Sequence, residues 1–338
     1  MEYINSNFKK ASVCNSDSKD LELLSKHSST TTQALLVFNN NIEIGELIGE
    51  GGFGEVFQGN YLTLYIAIKT PKNTVNNLIK EIKLLRLLRH PNVPQFYGIS
   101  KEKTKRKTIT SLIIERVFGV DMHQLFNNMS KYTEIVKIKF FIDLSNTLAY
   151  VHYNNIIHRD FKPSNIMVDH NFRIKLLDFG ISKEAQDTMT TEHPRLGTYL
   201  YFSPEHCAIQ NNMDDLKVAI SKKTDVWALG LIINQLFSGE IPWANKGITN
   251  NNTFKVLVLL HNKEKFEISN KIKNNDIKEV IKKCTEYEKT SRYNSEQVYL
   301  HLIYTLYSEI REKGINQLLS EIKFSVNSDS NFSKTSKF

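Results

Sequence analysis

The chain has 338 residues, 41% of them hydrophobic and 24% charged, which supplies more apolar material than one small core needs and excludes a fibrous or wholly disordered protein. A formal charge of +8 would suit nucleic acid or an acidic membrane, but the basic residues are scattered, so solvated faces account for them and no nucleic-acid partner is expected. Cys14, Cys207 and Cys284 lack disulfide or zinc spacing, there is no secretory hydrophobic region, and no transmembrane segment is expected because no apolar run reaches the roughly 20 residues of a spanning helix. A soluble protein of the cytoplasm, with a nuclear fraction left open, is expected.

Residues 1–41 are rich in Ser, Asn, Thr and Lys and read as a disordered extension. At Ile42 the pattern changes to Ile42, Ile44, Leu47 and Ile48, followed by the glycine run from Gly49 to Val56. A GxGxxG spacing also serves dinucleotide folds, but those need a helix directly after the glycines. Here Val56, Phe57, a Gly59–Asn60 turn and the apolar Leu64–Ile68 follow, which makes a glycine-tipped hairpin. Such a tip lets backbone N–H groups approach phosphate oxygens, and Lys69 at the end of the second strand is placed to reach the same phosphates.

Val75, Leu78, Ile79, Ile82, Leu85 and Leu88 recur at offsets of three and four before Pro91, so an amphipathic helix is predicted over Val75–Arg89. Glu81 lies beside its apolar stripe, placed either to pair with Lys69 or to stay solvated. Strands are predicted over Val93–Ile99 and Ile109–Glu115, with the basic Lys101–Lys107 run as a solvated turn between them. After the connector Arg116–Asp121 an apolar helix is predicted over Glu134–Tyr153, so strands give way to helices near residue 118.

His158–Asn165 then places a carboxylate, an ammonium and an amide at fixed short offsets: groups that can accept a proton, meet a phosphate and meet a metal. Short strands over Ile166–Val168 and Arg173–Leu177 lead to Asp178, Phe179 and Gly180. Asp160 and Asp178, with Asn165, suit an oxygen-liganded divalent cation, and Mg²⁺ is the natural partner of phosphates.

Over about Ile42–Ser308 this ordered set resembles a eukaryotic-type protein kinase domain. It is most similar to the tyrosine-kinase-like group of Ser/Thr kinases, by GEGGFGEVFQG and the GTYLYFSPE segment. The resemblance implies an α+β, bilobal protein kinase fold. Its small, mainly β N-lobe with one key helix would span about 42–117 and its larger, mainly α C-lobe about 118–308, followed by a tail over 309–338. It implies ATP and Mg²⁺ as cofactors and proteins with Ser/Thr acceptors as substrates. Ile48, Gly49, Glu50, Gly51, Gly52, Phe53, Gly54 and Glu55 would form the loop over the phosphates, and Val56 and Ala67 would pack on the adenine. Lys69, held by Glu81, would contact the α- and β-phosphates, the main chain of Glu115 and Val117 the adenine, and Asp121 the ribose. Asp160 would be the catalytic base, Lys162 would meet the γ-phosphate, and Asn165 and Asp178 would ligate Mg²⁺.

By the same resemblance Gly197, Thr198 and Tyr199 lead through a substrate-docking loop to Ser203, Pro204 and Glu205, with Arg292 placed to pair with Glu205. Asp225–Phe237 would be the buried central helix. Thr188, Thr190 and Thr191 lie where phosphorylation would set a charge against Arg159. Three features depart from the family pattern: only twelve residues separate Lys69 from Glu81, Cys207–Lys223 is long, and Tyr293 stands where Pro is usual. Two other readings are a pseudokinase scaffold, which usually lacks a group standing here as Lys69, Asp160 or Asp178, and a small-molecule kinase, which normally lacks a DFG and APE-type pair.

Overall fold

The computed structural model describes residues 42–51, 54–72, 75–103, 108–126, 132–169, 171–184, 199–206 and 220–320. The extension 1–41, Gly52, Phe53, residues 104–107, the threonines 188, 190 and 191, Gly197, Thr198, residues 207–219 of the long insertion and residues 321–338 lie outside them. The chain forms two units. One runs up to Val117 and also takes Asp178–Ile181; the other takes Phe118–Leu177 and everything from Ser182. The first is mainly β with one long helix and the second mainly helical, the two-lobed kinase fold.

In the small unit β1 (Ile42–Gly51), β2 (Gly54–Tyr61), β3 (Leu64–Pro71), β4 (Phe96–Lys103) and β5 (Thr108–Glu115) form one antiparallel sheet in the order β1-β2-β3-β5-β4. The central β3 is buried from Ile66 to Pro71, which explains its unbroken apolar run. Ile66, Ile68 and Ile113 pack beneath Ile42, Ile44, Phe57, Tyr61 and Tyr97. Helix α1 (Val75–Leu87) packs against β4 and β5 and buries Leu78, Ile79, Ile82 and Leu85, the apolar stripe read from the sequence. β4 starts three residues later than predicted because Pro94 has no N–H to give a ladder. Gly54 is demanded by the hairpin: a Cβ there would run into the Thr70 carbonyl of β3.

The large unit is built around α4 (Lys222–Ser238), almost every side chain of which is buried. Its middle, Val226 to Ile233, is apolar on all sides, and such a stretch belongs in a core. At its N-terminus Ser221 N donates to Thr224 Oγ1 at 3.3 Å and Thr224 N to Ser221 O at 2.9 Å, and Gly239, at φ 73°, ends it in the left-handed conformation that glycine allows. Around it lie α3 (Glu134–Tyr153), α6 (Asn275–Cys284) and α7 (Ser295–Lys313). Helix α7 runs past residue 308, where the kinase-type domain was expected to end. The short α2 (Met122–Phe126) and α5 (Lys255–His261) complete the helices the argument uses. Two small sheets carry the loops of chemical interest: β6 (Val120–Asp121) beside β8 (Ile166–Val168) beside β9 (Ile174–Leu176), and β7 (Ile156–Ile157) with β10 (Lys183–Glu184). Among the described residues no helix is long and apolar enough to cross a membrane.

Candidate active site

The small unit brings together Lys69, Glu81 and Asp178. Lys69 lies in β3, opposite Val56 on one side and Leu112 on the other. Because α1 starts only four residues after Pro71, Glu81 falls in its second turn, on the buried side. The twelve-residue spacing therefore suffices: Lys69 Nζ donates to Glu81 Oε1 at 2.9 Å and Oε2 at 2.8 Å, and to Asp178 Oδ1 at 2.9 Å. Of the two readings of Glu81, pairing wins over solvation, and the residue is 3% exposed. Burial by itself would lower the Lys69 pKa, but Glu81 and Asp178 outweigh it and hold the ammonium above its ordinary value. Burial pushes the Glu81 carboxyl upward, with the Lys69 charge and the Phe179 N–H pulling against it and Asp178 adding to it.

Asp178 sits at φ 60°, a left-handed conformation that Asp tolerates better than most residues. Gly180 N donates back to its Oδ1 at 3.2 Å, and a Cβ on Gly180 would lie 3.1 Å from that oxygen. In the glycine hairpin Gly49 pairs with Val56, Glu50 with Glu55 and Gly51 with Gly54. A Cβ at Gly51 would meet nothing within 4 Å, and Lys72 pairs with Glu50. Ile48 is half-buried in β1, and Ala67 is buried in β3 opposite Ile114. Glu115 closes β5, its N–H bonded to Gln95 O at 2.9 Å, and Val117 follows in irregular chain.

In the large unit the turn Pro163–Asn165 shapes the catalytic-type loop, with Pro163 at the first helical position and Asn165 N bonded to Lys162 O at 3.0 Å. Asp160 Oδ2 accepts from Lys162 Nζ at 2.7 Å and from Asn165 Nδ2 at 2.9 Å. Asn165 Nδ2 also donates to the Asp160 carbonyl at 2.8 Å. With its NH₂ committed to Asp160, the Asn165 amide presents its oxygen to any further partner. Asp160, Lys162 and Asn165 are thus one cluster. Asp121 is placed differently: its Oδ1 accepts Gln124 N at 2.8 Å and its Oδ2 accepts Gln124 Nε2 at 3.0 Å, so it caps α2.

The loop is held from beneath by Asp225 of α4, a role that the residue types alone did not reveal. Asp225 Oδ2 accepts His158 N and Oδ1 accepts Arg159 N, both at 2.8 Å, and this fixes Arg159 at φ 70°. His152 Nε2 meets the same carboxylate at 2.9 Å and its Nδ1 meets Ser295 Oγ at 2.9 Å, tying α3 and α7 to the loop. Burial would raise the Asp225 pKa, but the bonds from His152 and the loop N–H groups outweigh it and hold the carboxyl below its ordinary range. The available signal was a lone Asp opening an apolar run, since a buried carboxylate must be paired. His158 Nε2 donates to Leu177 O at 2.9 Å, and Ser182 Oγ to His158 O at 3.0 Å.

Arg292 pairs with Glu205 as expected, its Nη1 to Oε1 at 2.8 Å and Nη2 to Oε2 at 3.1 Å. Its other N–H groups reach the carbonyls of Glu286, Lys223 and Tyr287, so all five donors are used. Trp227 lies under the guanidinium at 5.0 Å. Burial would raise the Glu205 pKa, but Arg292 outweighs it and holds the carboxyl low. Tyr293, in the place of the usual Pro, uses the N–H that Pro lacks to reach Lys283 O at 3.0 Å.

A glycine-tipped hairpin, a lysine paired to a helix glutamate, and a carboxylate bracketed by lysine and asparagine define a domain of the eukaryotic protein kinase type. Residues 42–303 match the protein kinase domain model, and the chain belongs to the protein kinase family. It is 30% identical over 269 residues to mitogen-activated protein kinase kinase kinase 3 of Arabidopsis thaliana, covering 76% of this chain and 41% of that protein. It is 31% identical over 220 residues to the serine/threonine-protein kinase BCK1/SLK1/SSP31 of Saccharomyces cerevisiae, covering 60% of this chain and 14% of that one. To CBL-interacting protein kinase 10 of Oryza sativa it is 32% identical over 223 residues, 62% of this chain and 46% of that one. The chain spans less than half the length of each of these relatives and is related to Ser/Thr kinases.

Proposed function

We propose that the chain is an ATP- and Mg²⁺-dependent protein Ser/Thr kinase that acts in signalling from the cytoplasm. The observation that carries this is the charge of the small-unit cluster. One ammonium faces two carboxylates, an excess of negative charge that suits a divalent cation. Among the described residues no group of three or more His, Cys, Asp or Glu could hold a metal by itself. Mg²⁺ is commonly bound through one or two carboxylates together with substrate phosphates.

Asp178 and the Asn165 oxygen would hold Mg²⁺, and Mg²⁺–ATP supplies the γ-phosphoryl group and the neutralisation of its charge. Lys69, kept charged by Glu81, offers its N–H donors to phosphate oxygens. The glycines at 49, 51 and 54 let the loop backbone approach those oxygens, Val56 and Ala67 give the base an apolar surface, and Glu115 and Val117 offer main-chain hydrogen bonds. Asp121, although it caps α2, is the residue proposed for the ribose. Asp160, with Asn165 and Lys162 fixing its carboxylate, orients the acceptor hydroxyl and takes its proton. Positioning and charge of this kind supply most of the catalysis in phosphoryl transfer. Lys162, two residues after Asp160, favours Ser and Thr over Tyr. The glycine-loop and GTYLYFSPE wording supports the tyrosine-kinase-like group within the Ser/Thr kinases. A pseudokinase scaffold would have no need of the complete set of charged groups.

The test is transfer of labelled phosphate from ATP to casein, with phosphoamino-acid analysis of the product. Lys69→Met and Asp178→Asn should each lower transfer at least about 10²-fold. Equal transfer by the wild type and both variants would overturn the reading.

A further inference from the structure

Beside the catalytic loop the large unit holds a cavity of about 240 Å³ that the proposed chemistry does not use. It is bounded by Lys162, His123 of α2, Tyr201, Gln235 of α4, Asn250 and Thr253. Lys162 Nζ is 2.7 Å from Asp160 Oδ2, so a group in this cavity would belong to the part of a substrate that flanks its acceptor hydroxyl. The volume suits a single side chain.

The hydrogen-bonding inventory decides which side chain. Among the described residues no carboxylate lines the cavity. Tyr201 donates to Gln235 Oε1 at 2.6 Å, which engages the amide oxygen and leaves the NH₂ as the remaining hydrogen-bonding group of Gln235. The Lys162 ammonium has three N–H groups, of which Asp160 occupies one and the γ-phosphate would take a second, leaving one for the cavity. Nearby Glu240 is engaged elsewhere, by Ser269 at 2.5 Å and Lys271 at 3.0 Å. A guanidinium brings five donors and no acceptor, and it would find mainly the neutral oxygens of Ser164, Asn250 and Thr253 beside a lysine of its own charge. An anionic oxygen would find the donors of Lys162, Gln235, Asn250 and Thr253.

We infer that this cavity selects, next to the acceptor Ser or Thr, a substrate side chain bearing an anionic oxygen, either a carboxylate or a phosphate already in place, and rejects Arg and Lys. The inference rests on the reading of the chain as a protein Ser/Thr kinase. Like-charge and unpaired-donor penalties of this kind give specificity by exclusion.

The experiment is a serine-centred positional peptide array in which Glu, phosphothreonine, Gln and Arg are compared at each flanking position with the full chain. At one position the Glu or phosphothreonine peptide should exceed the Arg peptide about 3- to 10-fold in kcat/KM. The Glu and phosphothreonine columns tell which anion is preferred. The double variant Asn250→Asp/Thr253→Glu changes two residues outside the core and should reduce or invert that ratio. Fluorescence anisotropy with the same peptides carrying Ala at the acceptor reads the cavity without phosphate transfer. Anion-preferring binding without transfer would uphold the preference of the cavity for an anionic side chain and sink the kinase reading. Transfer in which Arg is accepted equally well at every position, or a double variant that keeps the wild-type ratio, would overturn the inference alone. Absence of both transfer and binding preference would overturn both.

Discussion

Two buried ionic networks, one in each unit, each set a basic side chain against acidic ones and are balanced differently. Around Arg292 every donor has an acceptor and one guanidinium meets one carboxylate. Around Lys69 one ammonium meets two carboxylates, and one of them, Asp178, stands at a left-handed backbone position. A saturated network fixes a structure, because removal of any member leaves a buried group unpaired. An unsaturated one carries charge that a ligand can complete, and it should trade activity against stability. The comparison teaches that ion pairing in a kinase-type fold does not by itself mark the functional site; the sign and surplus of its charge do.

The largest effect should separate the two networks by readout. Asp160→Asn is expected to lower phosphate transfer about 10²- to 10⁴-fold, while the unfolding midpoint stays near wild type because Asn can still accept from Asn165. A comparable fall in stability would erase the distinction between working groups and frame. Next, Arg292→Ala should cost about 3–5 kcal/mol in denaturant unfolding, since it strands the Glu205 carboxylate in the core. Arg292→Lys should recover little of this, having no fork to reach Glu205 and three carbonyls together. Full rescue by Lys would show that charge alone, without the planar donor set, holds the frame.

A smaller effect concerns pH. His206, buried and stacked on Phe202 at 4.6 Å, accepts from Ser203 N through Nδ1 at 3.2 Å. Burial pushes its imidazole down to about 4. The unfolded chain therefore binds a proton below about 6.5 that the folded chain does not, and stability is present above that pH and lost as pH falls towards 4. Between pH 6.5 and 5 this should remove about 2 kcal/mol, and His206→Gln should flatten that part of the profile. A flat wild-type profile would exclude His206 as the buried neutral group. The smallest effect is the most discriminating: Asp178→Asn removes the surplus charge beside Glu81 and suits the same left-handed backbone. Its thermal midpoint should equal or exceed that of the wild type while transfer is lost. A large drop in stability would mean that Asp178 belongs to the frame.

Much of this was legible in the chain. The apolar spacing of Leu78, Ile79, Ile82 and Leu85 placed α1, the run from Glu134 to Tyr153 placed α3, and the strand-forming residues after the glycines separated a hairpin from a dinucleotide turn. Glu81 was harder, because a glutamate among lysines reads equally as solvated until the sheet sets the distance to Lys69. Asp225 was read as the start of a core helix, and its grip on His158 and Arg159 was missed because the partners are backbone N–H groups some 66 residues away, which no local pattern records.

The sequence by itself determined the order of elements, the kinase-type set of charged residues and the glycine-tipped hairpin, because these follow from side-chain periodicity, spacing and steric permission along a local stretch. Only the tertiary structure decided which charges meet. It put Glu81 and Asp178 on one ammonium, saturated Arg292, and left a cavity beside Lys162 with no acid in its described wall. Coulomb energy and hydrogen bonding depend on distance and burial in space, and those are set by how distant segments pack.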